Sequence, residues 1–445
     1  MEKFSFESLR EQNNKFVYRS YEIVQNSSSI LLSFKYDLIE SKETTTFNHK
    51  LELNIDTKDI DLNNLDNIVF HIGLIEAINY WKIATPQDFY IECGYISVLQ
   101  LEWFKKLYYN GLGEFLYINK ISITQDQFVN FIVDEQNRHF DYIKRETKIN
   151  NIIPIGGGKD SLVTYELLKD IFPDSYMFSI NPIKASRTIL DKHPNNSIIL
   201  SRKLDKKILE FNAKGYLNGH IPFSSIVAFI SVWIGLIYKT KYIVLSNESS
   251  ASEENIVFND LKINHQYSKS FEFENDFRDY ISKYITKDVE YFSFLRALDE
   301  LTIAKLFTRT KKYFPIFLSC NVGGRQNRWC AKCPKCMFTY IMLCNYIDDE
   351  ELIKIFGSNM LDDKELVEIF EKLYKSEEVK PFECVGTYDE VNYALWKKKD
   401  SYDSDNIPYL FKNYNPKKPI EYNFKIDFTN TNIPEQFVQI LKKYV

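Results

Sequence analysis

Residues 150–170, NNIIPIGGGKDSLVTYELLKD, constrain the fold more than any other stretch of the chain. An apolar run ending in Ile-Pro-Ile breaks into Gly156, Gly157 and Gly158, and Lys159, Asp160 and Ser161 then lead into an amphipathic segment. A strand running into three glycines, with a helix expected over 161–172, is one βα unit of a parallel sheet. Glycines accept left-handed torsions and let a ligand approach the backbone closely. The unpaired N–H groups of a helix start, assisted by the helix dipole, favour an anion, and Ser161 adds a hydroxyl for a phosphate oxygen. The stretch is therefore a pyrophosphate cradle. It is neither of the two common phosphate loops, having no Gly-Lys-Ser/Thr ending and no G-x-G-x-x-G.

The surrounding texture extends the same fold. From Ile152 onward the strand NIIPI, the helix after it, the strands YMFSI and SIILS, an apolar helix over 222–238 and the strand KYIVLS follow one another. That alternation predicts an α/β fold with a doubly wound, mostly parallel sheet. Upstream, FVYRSYEIV, ILLSFKYDLI and HKLELNI alternate apolar and polar positions as antiparallel strands do, and NIVFHIGLIEAINYWKIA and ISVLQLEWFKKLYYNGLGEF carry helical patterns. An N-terminal α+β domain is expected over 1–147, an α/β domain over 148–320, and a C-terminal helical region with a cysteine cluster over 321–445. Downstream of Asn255 only helical patterns stand out, and the last stretch is irregular.

Composition removes several function classes. A formal net charge of −5 over 445 residues gives no global basic field for nucleic acid. The longest uncharged run, residues 215–238, contains Pro222 and His220 and reads as a buried core helix rather than a membrane span. The N-terminus MEKFSFESLREQNNKF has no apolar signal core, so a cytoplasmic protein is expected. Four of the seven cysteines, Cys320, Cys330, Cys333 and Cys336, form a C-x9-C-x2-C-x2-C cluster. In a reducing compartment such a cluster reads as a closed structural Zn²⁺ site of four thiolates. Cys344 falls in an apolar helical pattern and is expected in the core.

The loop over 156–161 resembles the S-G-G-x-D-S loop of the PP-loop ATP pyrophosphatases, with Gly156 where that family has its first Ser. The cysteine spacing is similar to the zinc site of the 7-cyano-7-deazaguanine synthases (QueC), also PP-loop enzymes. A wider set of stretches resembles the MurL family: FHIGLIEAINYWK, NGHIPFS, LSNESSASEEN, NHQYSKSFEFE, RWCAKCPKC and PFECVG, in that order between Phe70 and Gly386. The PP-loop resemblance implies that the 148–320 domain binds ATP and cleaves it between the α and β phosphates. The MurL resemblance implies an ATP-dependent epimerase of UDP-N-acetylmuramoyl-L-alanyl-L-glutamate in peptidoglycan synthesis. The expected partner is thus a small-molecule UDP-muramoyl-dipeptide, with Mg²⁺ beside ATP, and with neither nucleic acid nor membrane.

The residues support such a task on their own terms. SNESSASEEN follows a strand, and in open α/β sheets ligands lie at the carboxyl ends of strands. Ser246 and Asn247 are therefore candidate nucleotide contacts with Gly156, Gly157, Gly158, Lys159, Asp160 and Ser161. Glu248, His220 and His265 are candidate bases, as is Cys384, and Lys269 a candidate for offsetting negative charge. Glu76, in an apolar helix beside His71, reads as a purely structural buried pair or as a buried paired carboxylate whose pKa is raised. A glutamate Cα–H is too weakly acidic beside an ionised carboxylate. Adenylation makes that carboxylate a neutral mixed anhydride and raises the acidity, so that a base can remove the proton. Three other readings remain open at this level. A QueC-like enzyme would adenylate and aminate a carboxylate, and a tRNA-modifying enzyme would want a basic, aromatic-laced patch. A degenerate loop would serve a nucleotide-binding regulator.

Overall fold

The computed structural model describes all residues except 1–2, 13, 42, 260, 415–421 and 425. The chain forms two compact units: Met1–Ile149, Ile198–Ile243 and Val257–Tyr291 make the first, and Asn150–Ser197, Val244–Ile256 and Phe292–Val445 the second. The strands in chain order are β1 (Lys15–Asn26), β2 (Ser29–Ile39), β3 (Thr44–Asn54), β4 (Asp88–Ile91), β5 (Asn130–Val133), β6 (Lys148–Pro154), β7 (Tyr176–Ile180), β8 (Ser197–Lys203), β9 (Thr240–Leu245), β10 (Ile256–Phe258), β11 (Leu261–Ile263) and β12 (Glu290–Ser293).

In the first unit the sheet order is β8-β3-β2-β1-β4-β5. β1, β2, β3 and β8 pair antiparallel, and β4 and β5 add in parallel beyond β1. The alternation read from the sequence is the burial pattern: Leu32, Phe34, Tyr36 and Leu38 on β2 and Phe47, His49, Leu51 and Leu53 on β3 are all buried. Helix Asp66–Glu76 covers β1 and packs on helix Phe223–Ile237. It comes so close to the sheet that a Cβ on Gly73 would lie 1.8 Å from the Tyr18 hydroxyl, while the Gly73 carbonyl accepts a 2.7 Å hydrogen bond from Tyr36. Helix Phe223–Ile237 is buried along most of its length, and no helix among the described residues is long and apolar enough to cross a membrane.

The same helix corrects one expectation. Glu76 is fully buried, but its partner is Arg202 on β8, not His71. The guanidinium is bidentate, with Nε 2.7 Å from Oε1 and Nη2 2.6 Å from Oε2, and Asn79 donates at 2.9 Å. Burial works to raise the Glu76 pKa, yet Arg202 and then His49 outweigh it and hold the carboxyl down to about 2. His71 instead donates through Nδ1 to the Asn67 carbonyl (2.7 Å) and accepts through Nε2 from Tyr280 (2.8 Å). Burial keeps it neutral, with its pKa down to about 4. Because the Glu76 pKa is depressed on folding, its stabilisation is present above the ordinary carboxylate range and is lost as pH falls through about 2. Arg202→Met, which strands the buried carboxylate, is expected to cost about 3–5 kcal/mol in chemical denaturation, and adding Glu76→Leu to recover most of it. A loss under about 1 kcal/mol in the single variant would contradict the assignment.

The second unit holds β6 from Asn150, β7, and the carboxyl ends of β9 and β12, in the order β12-β9-β6-β7, with β6 and β7 parallel. The helix after β6 spans Lys159–Leu168 and packs on helix Glu300–Phe307. It starts two residues before the expected Ser161, so Lys159 and Asp160 belong to its first turn. The C-terminal helices include Pro334–Leu343, Asp349–Phe356, Val367–Tyr374 and Tyr388–Asp400. β10, β11 and β12 lie where the sequence shows only helical patterns.

Candidate active site

The glycine loop sits at the carboxyl end of β6. Gly157 takes φ +96°, and a Cβ there would lie 3.2 Å from the Ser186 nitrogen; its carbonyl accepts from the Leu318 N–H at 2.8 Å. A side chain at Gly157 is excluded by both torsion and space. At Gly156 a Cβ would meet nothing within 4 Å, so the serine of the PP-loop pattern is missing although there is room for it. Gly158 caps the helix, and the Ser161 hydroxyl donates to the Gly158 carbonyl at 3.2 Å.

Three carboxylates meet beside the loop. Asp160, Glu248 and Glu300 each place an oxygen within 4.8 Å of the others. They come from the first turn of the loop helix, from the segment after β9, and from the first residue of helix Glu300–Phe307. Lys159 is buried and hydrogen-bonds both Asp160 and Glu300. Burial opposes its charge, but these two carboxylates outweigh burial and raise its pKa. Burial pushes the Glu300 carboxyl up; Lys159 opposes this, and Asp160 and Glu248 add to it. Three acids around one lysine leave surplus negative charge in a desolvated place, and oxygen ligands at this spacing suit a hard divalent cation. Glu390 supports the group by accepting from the Glu300 N–H at 2.7 Å, and burial pushes its own carboxyl up to about 6. A cavity of about 650 Å³ lies on the Glu390 side of the group, lined by Ser250, Glu253, Asp299, Thr387, Asp389 and Glu390; the glycine loop is not part of its lining, and its charges are all acidic.

Other expected contacts are already engaged. The Ser246 hydroxyl donates to Thr164 at 2.8 Å and Asn247 to Ser293 at 2.9 Å, which fixes the segment carrying Glu248. Arg296 donates to the Glu248 carbonyl at 2.7 Å.

The four cysteines converge in the second unit, their sulfurs all within 4.8 Å of one another. Cys320 and Cys333 are 3.9 Å apart, Cys330 and Cys336 3.6 Å, and Cys333 and Cys336 3.5 Å. Four thiolates at about 2.3 Å around a tetrahedral ion would stand about 3.8 Å apart, so the residues present fit a metal such as zinc. The Gly323 N–H donates to the Cys320 sulfur at 3.0 Å, which helps hold that thiolate in place, and Cys333 stands at the start of helix Pro334–Leu343. Cys344, just past the end of that helix, is buried and donates to the Ile341 carbonyl, whereas Cys384 offers its carbonyl to Lys335.

The remaining candidates gather in the first unit. His265 Nδ1 is 2.5 Å and His220 Nδ1 3.7 Å from one oxygen of Glu114. Buried Lys82 donates to the Gly219 carbonyl at 2.6 Å, and Lys269 to Gln266 at 3.4 Å. Sequence reasoning missed Glu114, Lys82 and Glu300. The available signal was a charge set in a largely apolar run: Glu114 alone in NGLGEFLYI, Lys82 with Glu76 in EAINYWKIA, and Glu300 among four charges in FLRALDELTIAKLF.

Fold and site together define an α/β protein with a glycine loop, an adjoining carboxylate trio and a cluster of four cysteines whose spacing fits a metal ion. Comparison with known proteins gives the family. Residues 7–294 match the model of the MurL N-terminal domain and residues 316–418 that of the MurL C-terminal domain. Three curated relatives bear the name UDP-N-acetyl-alpha-D-muramoyl-L-alanyl-L-glutamate epimerase. That of Xanthomonas oryzae pv. oryzae is 33% identical over 73% of this chain and 72% of its own length. That of a Micromonospora species is 28% identical over 87% of each chain, and that of Salinispora tropica 29% over 74% and 73%. The chain belongs to the MurL family.

Proposed function

We propose that this protein inverts the terminal L-Glu of UDP-N-acetylmuramoyl-L-alanyl-L-glutamate to D-Glu through an acyl adenylate, consuming ATP and releasing AMP and pyrophosphate, in the cytoplasm during peptidoglycan synthesis. The observation that carries the reading is the glycine loop with Asp160, Glu248 and Glu300 at its side, in a chain whose family is named for that epimerisation. The glutamate α-carboxylate attacks the α-phosphorus of ATP; the bond to the bridging oxygen breaks, and pyrophosphate leaves into the N–H groups of Gly156–Ser161. Asp160, Glu248 and Glu300 would hold a Mg²⁺ ion, which offsets the charge developing on the phosphates. Lys159 is engaged with Asp160 and Glu300 and acts by orienting them. The neutral anhydride acidifies Cα–H, a base removes the proton, and a donor returns one to the other face before water releases AMP. His220 and His265 are the candidate bases, since Glu248 is engaged once it holds the ion, and Lys269 offsets charge. The four-cysteine site holds one structural Zn²⁺.

The test is incubation with Mg²⁺-ATP and the UDP-muramoyl-dipeptide, then chiral analysis of glutamate after acid hydrolysis. D-Glu formed in step with AMP supports the reading. AMP with only L-Glu would point to an amidating enzyme of the QueC kind.

A further inference from the structure

We infer that Glu114, His220 and His265 form a further metal site, within the first unit, for a divalent ion such as Zn²⁺, with an open position that takes water or an anionic oxygen. One oxygen of Glu114 and a ring nitrogen of each histidine all lie within 4.8 Å of one another. Glu114 Oε2 is 2.5 Å from His265 Nδ1 and 3.7 Å from His220 Nδ1, and the two imidazole rings are 4.2 Å apart. Ligands at about 2.1 Å around one ion stand about 3.0–3.4 Å apart. The ion therefore takes the place of the Glu114–His265 hydrogen bond, and His220 moves inward. An imidazole binds metal through an unprotonated nitrogen, so the proton that His265 donates to Glu114 leaves Nδ1 when the ion enters.

Three separate pieces of chain bring the ligands together. Glu114 is the second residue of helix Gly113–Ile118, His220 lies just before helix Phe223–Ile237, and His265 precedes the turn Tyr267–Lys269. Close approach fixes the two histidine segments against the Glu114 helix: a Cβ on Gly219 would lie 3.1 Å from the Phe115 ring, and one on Gly113 3.2 Å from the Ile263 side chain. Asn119, at the end of that helix, donates to the Asn218 carbonyl at 3.0 Å, and Lys82 to the Gly219 carbonyl at 2.6 Å. The Glu114 and His265 side chains are 13% and 12% exposed and that of His220 28%, so an ion there is shielded by protein and keeps an opening on the His220 side. Two neutral imidazoles and one carboxylate carry a single negative charge, and Lys82 and Lys269 act on His220 as neighbouring cations. Mg²⁺ wants several anionic oxygens, whereas imidazole nitrogens suit a transition-series ion. The two lysines favour an anion on its open position. An ion pair of Glu114 with His265 alone does not account for the second imidazole beside the same oxygen.

A histidine that holds an ion does not also serve as a base, so this site and proton removal by His220 or His265 exclude each other. The ion is detected with neither ATP nor the UDP-muramoyl-dipeptide present, so failure to bind it and failure of the epimerase assay are separate results. The full chain is equilibrated with Zn²⁺, freed of unbound metal by gel filtration and analysed for metal. Wild type is expected to hold about one ion per chain more than Glu114→Gln, His220→Gln and His265→Gln treated alike. Titration with Co²⁺ should show binding at this site weakened by more than about 100-fold in each variant, beyond the effect of losing an outer-shell partner. Circular dichroism of the same samples checks their fold. The Co²⁺-loaded wild type should show two strongly shifted, exchangeable imidazole proton resonances, a result that misfolding of a variant cannot mimic. Equal metal content in wild type and all three variants would overturn the site. So would a Co²⁺-loaded wild type without shifted imidazole resonances. Uptake of inorganic phosphate that is lost in His220→Gln, with no ion taken up, would also overturn it and make the cluster an anion site.

Discussion

Asp160→Asn is expected to lower AMP formation by about 10³-fold, and Ser161→Ala by about 10²-fold, with the thermal transition displaced by only a few degrees. Asp160 gives one of the three carboxylate oxygens that would hold the cation, and the substitution keeps its shape while removing its charge. The fold does not depend on that charge, because Lys159 keeps its buried bond to Glu300 and the helix keeps its start at Gly158. Ser161 loses only a hydroxyl whose bond to the Gly158 carbonyl spans 3.2 Å. Initial rates of AMP release at saturating ATP, with circular dichroism of the same samples, measure both effects. Wild-type rates in both variants would remove the loop from the chemistry.

The second large effect concerns stability. One zinc per chain is expected by elemental analysis. Cys333→Ser is expected to lower the melting temperature by about 10 °C or more, because structural zinc contributes folding free energy outright. Cys333 is 3.9 Å from Cys320 and 3.5 Å from Cys336, so its substitution removes one of the four thiolates that would hold the ion. Trp329, next to Cys330 and packed against Phe317 and Phe356, gives a fluorescence signal for the same change. A metal-free protein with an unchanged melting temperature would contradict the assignment.

What was legible in the sequence was local. The glycine loop announces itself because strand, turn and helix start lie within a dozen residues, and the cysteine spacing encodes its own geometry. The strands β1, β2 and β3 have eleven or twelve residues each, long enough to be read as strands, and β3 in particular buries alternate residues. β12 has four residues, too few for a period to emerge among helical patterns. Glu76 shows why charge is harder to read than burial. Its apolar helix announced a buried, paired acid, but the direction of the pKa shift depended on Arg202, 126 residues away. The carboxylate trio draws on residues 160, 248 and 300, and the histidine pair meets at Glu114; no periodicity links such positions. The helix starts two residues earlier than expected, and Lys159, expected at the nucleotide, is instead buried against Glu300.

The most direct test of the account is the ATP dependence of Cα deuterium exchange into the glutamyl residue of UDP-N-acetylmuramoyl-L-alanyl-L-glutamate in D₂O. The account predicts deuterium at Cα with Mg²⁺-ATP, and none with ATP omitted or replaced by its α,β-methylene analogue, which cannot be cleaved at that bridge. Exchange at an equal rate without ATP would contradict the acyl-adenylate step and leave a racemase that activates the free carboxylate by other means.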